Sequence, residues 1–431
     1  MTHLRRTCTR LLGAAGMLLM LGHPMMAQDS PVVNPASLGF SVARLARIDT
    51  VFRQYVDSEK VAGAVALIMR HGQIAYLHAF GQADREAKRP MTASTLFRIA
   101  SQTKAVTSVA VMMLVEQGKL TLGDPVSRYI PSFAHTMVAQ KGDTGLLLVP
   151  ATRAITIRDL LTHTAGISYG TDSIVAERYR AQGLGPAAGW GWYTADKDEP
   201  VCTTMERLGT LPFVAQPGSS FVYGYNLDVL GCVVERVSGM PLDQFFRIHI
   251  FAPLGMRNTW FFPPVSESSR FAAVYMGSDS GLRRADDGSR GQGHYLAGPR
   301  KNFSGGAGLV STAVDYGRFL QMLLNKGSRG AVHLLSPATV HLMTTSQVED
   351  SVYGGTQRGF GLGFDILEQP GLAGEYGSVG RFGWGGAYGT VYWVDPGEDL
   401  VALFMVQQFG GSGLDLAGKF QALVYQAIVT R

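Results

Sequence analysis

The sequence predicts an α+β fold: an antiparallel sheet assembled from both ends of the chain and flanked by helices, facing a mostly helical lobe across a cleft. Three observations lead there. Apolar, β-branched runs lie near the start (Val61–Met69, Gln73–Ala79) and again near the end (Arg358–Leu367, Val379–Trp384, Gly389–Val394, Leu400–Gln407). Between them the apolar residues recur mainly at helical spacing. Of the 431 residues 46% are hydrophobic and 16% charged, which suffices for a large core. The expected folded unit is residues 40–431, with a sheet lobe from about 40–100 and 302–431 and a helical lobe from about 101–301.

The first residues are read as an address. Arg5, Arg6 and Arg10 precede the apolar run Leu11–Leu21, and Met25-Met26-Ala27 offers a cleavage point, so residues 1–27 are expected to be a secretory signal. The run is short for a hydrocarbon core, although an uncleaved anchor is the competing reading. A secreted or periplasmic protein without a stable membrane span follows. Losing those three arginines lowers the formal charge from +5 to +2, and no basic run interleaved with aromatics asks for nucleic acid. No metal or other cofactor is expected, because His163, His249, His294, His333 and His341 are scattered without ligand spacing. Cys202 and Cys232 remain after Cys8 leaves; they either pair in an oxidising compartment or act as two separate small hydrophobes.

In order, Val42–Ser58 is an amphipathic helix with Leu45, Ile48, Phe52, Tyr55 and Val56 on one side. Two strands joined at His71-Gly72 follow, then a polar loop over Gly81–Thr95. Ser101–Gln117 is a core helix stopped at Gly118. An exposed excursion is expected between Phe133 and Ala154, then a helix over Thr156–His163 capped by its threonine. Gly170–Pro200 is irregular, and its Trp190, Trp192 and Tyr193 line a cleft wall or form a satellite core. Helices are expected over Thr203–Leu211, Leu227–Val237 (closed by Gly239), Pro241–Leu254, Thr312–Asn325, Leu335–Met343 and Leu414–Val429, with a surface excursion over Gly277–Gly298.

Chemistry concentrates at lobe boundaries. Ser101 and Lys104, in FRIASQTK, stand i and i+3 at a helix start, which puts hydroxyl and amine on one face. A buried lysine loses its proton more readily and can activate the serine, and helix-terminal N–H groups can hold developing negative charge. Tyr223 stands where a turn enters a helix, with its hydroxyl either facing a cleft or satisfied on a carbonyl. Trp384-Gly385-Gly386-Ala387 ends a strand whose glycines let a substrate approach the backbone, and the Ala387 N–H can join that of Ser101. Gly166-Ile167-Ser168-Tyr169-Gly170 matches G-x-S-x-G in letters. It lacks the strand before and helix after that a nucleophile elbow needs, so Ser168 is read as structural.

Taken together, these stretches resemble the serine β-lactamase and penicillin-binding-protein superfamily, in its class C-like branch with the family VIII carboxylesterases. Ser101-Gln102-Thr103-Lys104 matches S-x-x-K, and Tyr223 falls on the tyrosine of Y-x-N. ITIRDLLTHTAGI (Ile155–Ile167) and GGAGLVST (Gly305–Thr312) match further family stretches, and FGWGGAYGTVYWVDP (Phe382–Pro396) corresponds to the K-T-G strand. Two positions depart: Tyr225 replaces the Y-x-N asparagine, with Asn226 beside it, and Trp384-Gly385 replaces the lysine and threonine. The resemblance implies a β-lactamase-like two-lobe fold and a serine hydrolase cleaving short- to medium-chain carboxylic esters through an acyl-enzyme. Ser101 would be the nucleophile, Lys104 and Tyr223 the base and acid, and the N–H groups of Ser101 and Ala387 the oxyanion hole. Trp384, Gly385, Gly386, Tyr225 and Asn226 would meet the substrate. A tryptophan cannot bind a substrate carboxylate as a lysine does, which favours neutral esters and leaves β-lactam hydrolysis as a side activity. The alternatives are a D,D-peptidase or β-lactamase, and a non-catalytic sensor retaining the fold.

Overall fold

The computed structural model describes residues 31–142, 145–185, 193–278, 281–288, 290–410 and 414–430. The expected signal segment, Trp190 and Trp192 lie outside these residues. One eight-stranded sheet organises the chain. Its strands are β1 (Gly63–Arg70), β2 (Gln73–Asp84), β3 (Arg89–Pro90), β4 (Arg358–Phe360), β5 (Asp365–Leu367), β6 (Phe382–Gly385), β7 (Val391–Asp395) and β8 (Leu400–Val406). In space they run β4-β5-β6-β7-β8-β1-β2-β3, so the C-terminal meander joins the N-terminal hairpin where β8 pairs antiparallel with β1 (Leu67 opposite Leu403). Both faces of β1 are buried. Val65, Leu67 and Met69 enter one core, and Ala64, Ala66 and Ile68 the other.

The second of those cores lies under two terminal helices. Helix α1 (Val42–Asp57) is capped by the Ser41 hydroxyl and buries Leu45, Ile48 and Phe52. Phe52 packs on Phe404, with ring centroids 4.6 Å apart, and on Phe420 of the last helix, Leu416–Tyr425.

The first core holds the central helix, α2 (Thr103–Glu116), every residue of which from Thr103 to Leu114 is buried. Its apolar residues lie on all sides and its buried Thr103, Lys104 and Thr107 side chains are hydrogen-bonded, so the helix belongs inside; Gly118 ends it in the left-handed region (φ +66°). Helix α5 (Asn226–Ser238) packs against α2, α3 (Ile157–Leu161) and α4 (Val201–Gly209) pack on α5, and α6 (Ala313–Leu324) packs on β1, β7 and β8. Thr156 and Asp159 form a reciprocal capping box at α3, and Thr312 caps α6. Cys202 of α4 and Cys232 of α5 are disulfide-bonded, with Cα atoms 4.9 Å apart.

Several boundaries differ from expectation. The predicted loop over Gly81–Thr95 is partly strand, because β2 continues to Asp84, burying Ala83, and β3 pairs back onto it. The excursion between Phe133 and Ala154 contains a hairpin, Met137–Gly142 with Gly145–Pro150, in which Gly142 and Gly145 stand opposite each other. Pro241–Leu254 is helical but broken by a π-turn over Arg247–Phe251. In the expected surface excursion, Tyr275–Ser278 pairs with Gly281–Arg284 and with Gln408–Gly410. Helix α2 begins at Thr103, because Ala100–Gln102 forms a 3₁₀ turn.

Candidate active site

The site is built at the start of α2. The segment Ser304–Ser311 clamps this helix through three hydrogen bonds and the residues leading into it through a fourth. Ile99 N–H donates to Leu309 O (3.1 Å) and Leu309 N–H to Thr103 Oγ1 (3.0 Å), while Thr107 Oγ1 donates to Gly305 O (2.7 Å) and Lys104 Nζ to Gly306 O (2.8 Å). Gly306 is required there, because a Cβ would stand 2.3 Å from an Asp228 carboxylate oxygen. The other Asp228 oxygen accepts from Ser304 Oγ (2.5 Å) and Gly306 N–H (3.1 Å). Burial pushes this carboxyl upward, against the opposing pull of Ser304 and Lys104.

Lys104 is 2% exposed, and its amine donates to Ser101 Oγ at 3.2 Å, so the i, i+3 pair meets as its spacing requires. Ala100, just before the serine, has φ +42° although it is not glycine. That conformation is strained and is held by packing on Val274, Ala285 and Tyr388.

The amine's remaining bond goes to the Tyr169 hydroxyl (3.0 Å), a residue that sequence reasoning missed. Its only local signal was an aromatic inside the Gly166–Gly170 look-alike. Burial holds the Tyr169 phenol well above the ordinary range, with Tyr223 adding in the same direction, so it stays protonated. Ser168 beside it is buried, and its Oγ accepts from Gly170 N–H (3.0 Å).

Tyr223 reaches the same cluster differently from expectation. Lys104 Nζ stands 4.6 Å from the centroid of its ring, and no hydrogen bond joins its hydroxyl to Lys104 or Ser101 among the described contacts. The hydroxyl instead accepts from the indole N–H of Trp384 (3.1 Å). His163 packs on the other rings here, 4.6 Å from Tyr223 and 5.7 Å from Phe360, which in turn meets Trp384 edge-on. Burial first, then Lys104, holds the His163 imidazole well below its usual range and therefore neutral.

Two predicted substrate contacts are corrected. Tyr225 and Asn226 are fully buried as α5 begins. The Tyr225 hydroxyl accepts from Gly185 N–H (3.0 Å), and the Asn226 amide meets His163 Nδ1 (2.9 Å) and Val222 O (3.2 Å). The helix start turns both inward, so they hold the site together from behind. Tyr193, a candidate cleft aromatic, is also buried, stacked 4.9 Å from Tyr295.

Trp384 and Gly385 end β6 and are half-buried, whereas Ala387 lies past the strand, exposed in a tight turn. Gly386 N–H donates to Thr390 O (2.8 Å), and a Cβ on Gly386 would stand 2.5 Å from Ile99 O. This glycine thus lets the turn lie directly against the residues that precede Ser101. Among the described residues no group of His, Cys, Asp and Glu is arranged to hold a metal, and no helix is long and apolar enough to cross a membrane.

A serine fed by a buried lysine, beside a tyrosine and a glycine-edged strand, can carry acyl transfer, and known proteins agree with that chemistry. Esterase EstB of Burkholderia gladioli is 35% identical over 390 residues, covering 86% of this chain and 93% of the relative. The solved structure of EstCE1, described as a hydrolase with promiscuous acyltransferase activity, superposes with a TM-score of 0.76 at 32% identity, covering 90% of this chain and all of that one. Simvastatin synthase (LovD) of Aspergillus terreus gives 0.75 at 27% identity, over 89% and 98% of the two chains. The Beta-lactamase family profile matches residues 48–426, nearly the whole described chain. By sequence, fold and relatives, the chain belongs to the beta-lactamase family, within which it is a serine carboxylesterase.

Proposed function

We propose that this esterase acts on neutral esters of short to medium acyl chain through an acyl-enzyme on Ser101. The observation that carries the reading is the buried Lys104 amine 3.2 Å from Ser101 Oγ, on a site whose facing strand presents Trp384 in place of a cation. Ser101 Oγ forms a bond to the ester carbonyl carbon as its proton passes to Lys104 or Tyr223. Tyr169, kept protonated by burial, serves as an anchor for the amine and not as a base. The N–H groups of Ser101 and Ala387 hold the oxyanion, the tetrahedral intermediate expels the alkoxide, and a proton goes to that oxygen. The Tyr223 hydroxyl oxygen accepts from Trp384, so its O–H can make that donation; the proton given up is replaced by, or identical with, the one from Ser101, received through Lys104 or directly. Water then attacks the acyl-Ser101 ester by the same proton route in reverse, releasing the acid.

The substrate preference follows from Trp384, whose half-buried indole offers surface to an apolar group and no charge to a carboxylate. The same acylating groups can open a β-lactam as a slow side reaction. We also infer that the enzyme works outside the cytoplasm after losing residues 1–27; the Arg5–Leu21 pattern and the Cys202–Cys232 disulfide support this. Kinetics of p-nitrophenyl butyrate, a chromogenic cephalosporin and a D-Ala-D-Ala peptide on one preparation test the proposal. The ester should have the highest kcat/KM by at least about tenfold, the value of one charge-assisted contact. Faster turnover of either carboxylate-bearing substrate would overturn it.

A further inference from the structure

Away from the catalytic cleft, a cavity of about 420 Å³ opens between the π-turn Arg247–Phe251 and the segment Met256–Phe262. Neither Ser101, Lys104, Tyr223 nor Trp384 lines it. The volume falls within the range of roughly 300–1,000 Å³ typical of small-molecule sites. Its floor is aromatic. Phe251, Phe261 and Phe262 are buried beneath it, and Trp260 and Phe303 show half-buried faces to it. Phe303 packs against Phe261 with centroids 5.4 Å apart, which fixes the floor's shape.

The rim carries an excess of positive charge. Arg247 and Arg257 are exposed, and neither guanidinium makes a hydrogen bond or ion pair among the described residues, although Arg247 lies near enough to Asp243 to favour its carboxylate. Arg300 is held by the carbonyls of Phe262 (2.8 Å) and Pro263 (3.2 Å), which position its guanidinium without neutralising it. The single acid in the wall, Asp243, has one carboxyl oxygen buried without a hydrogen-bond partner. Burial pushes this carboxyl upward against the pull of the Gln244 N–H and Arg247, and this one acid faces three arginines.

An aromatic floor with an arginine rim is complementary to a ligand that has an apolar body and an anionic planar head. We propose that this cavity is a second binding site, separate from the catalytic serine, for an arylalkyl or alkyl carboxylate. The tail lies on Phe303, Trp260 and Phe261, and the carboxylate is bridged by Arg247 and Arg257. Phe303 is three residues before Gly306, whose carbonyl holds Lys104, so the occupant rests on the segment that positions the catalytic amine. Ester hydrolysis releases acids of this class; the assignment itself rests on the cavity and not on that activity.

The test is isothermal titration of 4-phenylbutyrate, with 4-phenyl-1-butanol as the uncharged analogue, into full-length enzyme whose Ser101 has been blocked by a fluorophosphonate. Saturable binding of the carboxylate is expected, about tenfold or more tighter than that of the alcohol. The Arg247→Ala/Arg257→Ala variant should lose about tenfold or more in carboxylate affinity while keeping wild-type esterase activity, which reports its folding. No saturable carboxylate binding, equal affinity for the alcohol, or unchanged affinity in the arginine variant would overturn the proposal. Failure of the blocking step counts against the catalytic reading alone; the same comparison then runs on unblocked enzyme.

Discussion

Replacing Tyr169 by phenylalanine isolates the contact that sequence reasoning did not anticipate. The substitution removes one oxygen and keeps the ring, which packs 5.7 Å from Tyr223 and 4.9 Å from Tyr225. Lys104 loses one of three hydrogen bonds and keeps those to Ser101 and Gly306. With the lysine only 2% exposed, water does not replace the lost partner. Leaving a buried donor of the amine unpaired costs about 1–3 kcal/mol. If the bond holds the amine for proton transfer, kcat/KM for a p-nitrophenyl ester falls about 5- to 150-fold. The loss should appear in kcat with KM nearly unchanged, because the hydroxyl bonds Lys104 and not the substrate. Steady-state kinetics beside a urea melt separate this from unfolding. Unchanged kcat in a folded variant would refute the reasoning, since it would mean that Ser101 and Gly306 position Lys104 without Tyr169.

Three further outcomes follow from other contacts. Trp384→Phe keeps an aromatic wall but removes the N–H on the Tyr223 hydroxyl; a neutral bond of about 0.5–1.5 kcal/mol predicts a kcat/KM about 2- to 12-fold lower, measured by ester kinetics. Cys202→Ala/Cys232→Ala opens a cross-link between residues 30 apart in sequence, and denaturant unfolding should register a loss of about 3–4 kcal/mol with activity retained under native conditions. His163 is buried neutral, its folded-state pKa lowered, so below about pH 6.5 the unfolded chain binds a proton that the folded one refuses. Its contribution is present above that pH and is lost as pH falls; unfolding free energies of wild type and His163→Gln compared from pH 5 to 7.5 should show a slope of up to about 1.4 kcal/mol per pH unit in the wild type that the variant lacks.

Features carried by local periodicity were legible in the sequence. The largely apolar α2, the β1–β2 hairpin and the C-terminal meander each declare themselves through spacing and turn residues, as does the Ser101–Lys104 pair, which one helical turn brings together. What was not legible depends on which elements become neighbours. Tyr169 meets Lys104 from 65 residues away, and Trp384 meets Tyr223 from 161 away, with no local pattern pointing from one to the other. Tyr225 and Asn226 were implied as substrate contacts by the resemblance to Y-x-N, yet the start of α5 rotates them into the core. The two cysteines left both outcomes open because pairing needed α4 and α5 to pack side by side, which neither helix announces.

The central claim is that Ser101 is the nucleophile of this esterase, and covalent labelling with a fluorophosphonate followed by peptide mass mapping tests it most directly. The adduct should fall on Ser101, disappear in Ser101→Ala and persist in Ser168→Ala. An adduct on Ser168, or labelling that survives in Ser101→Ala, would contradict the account.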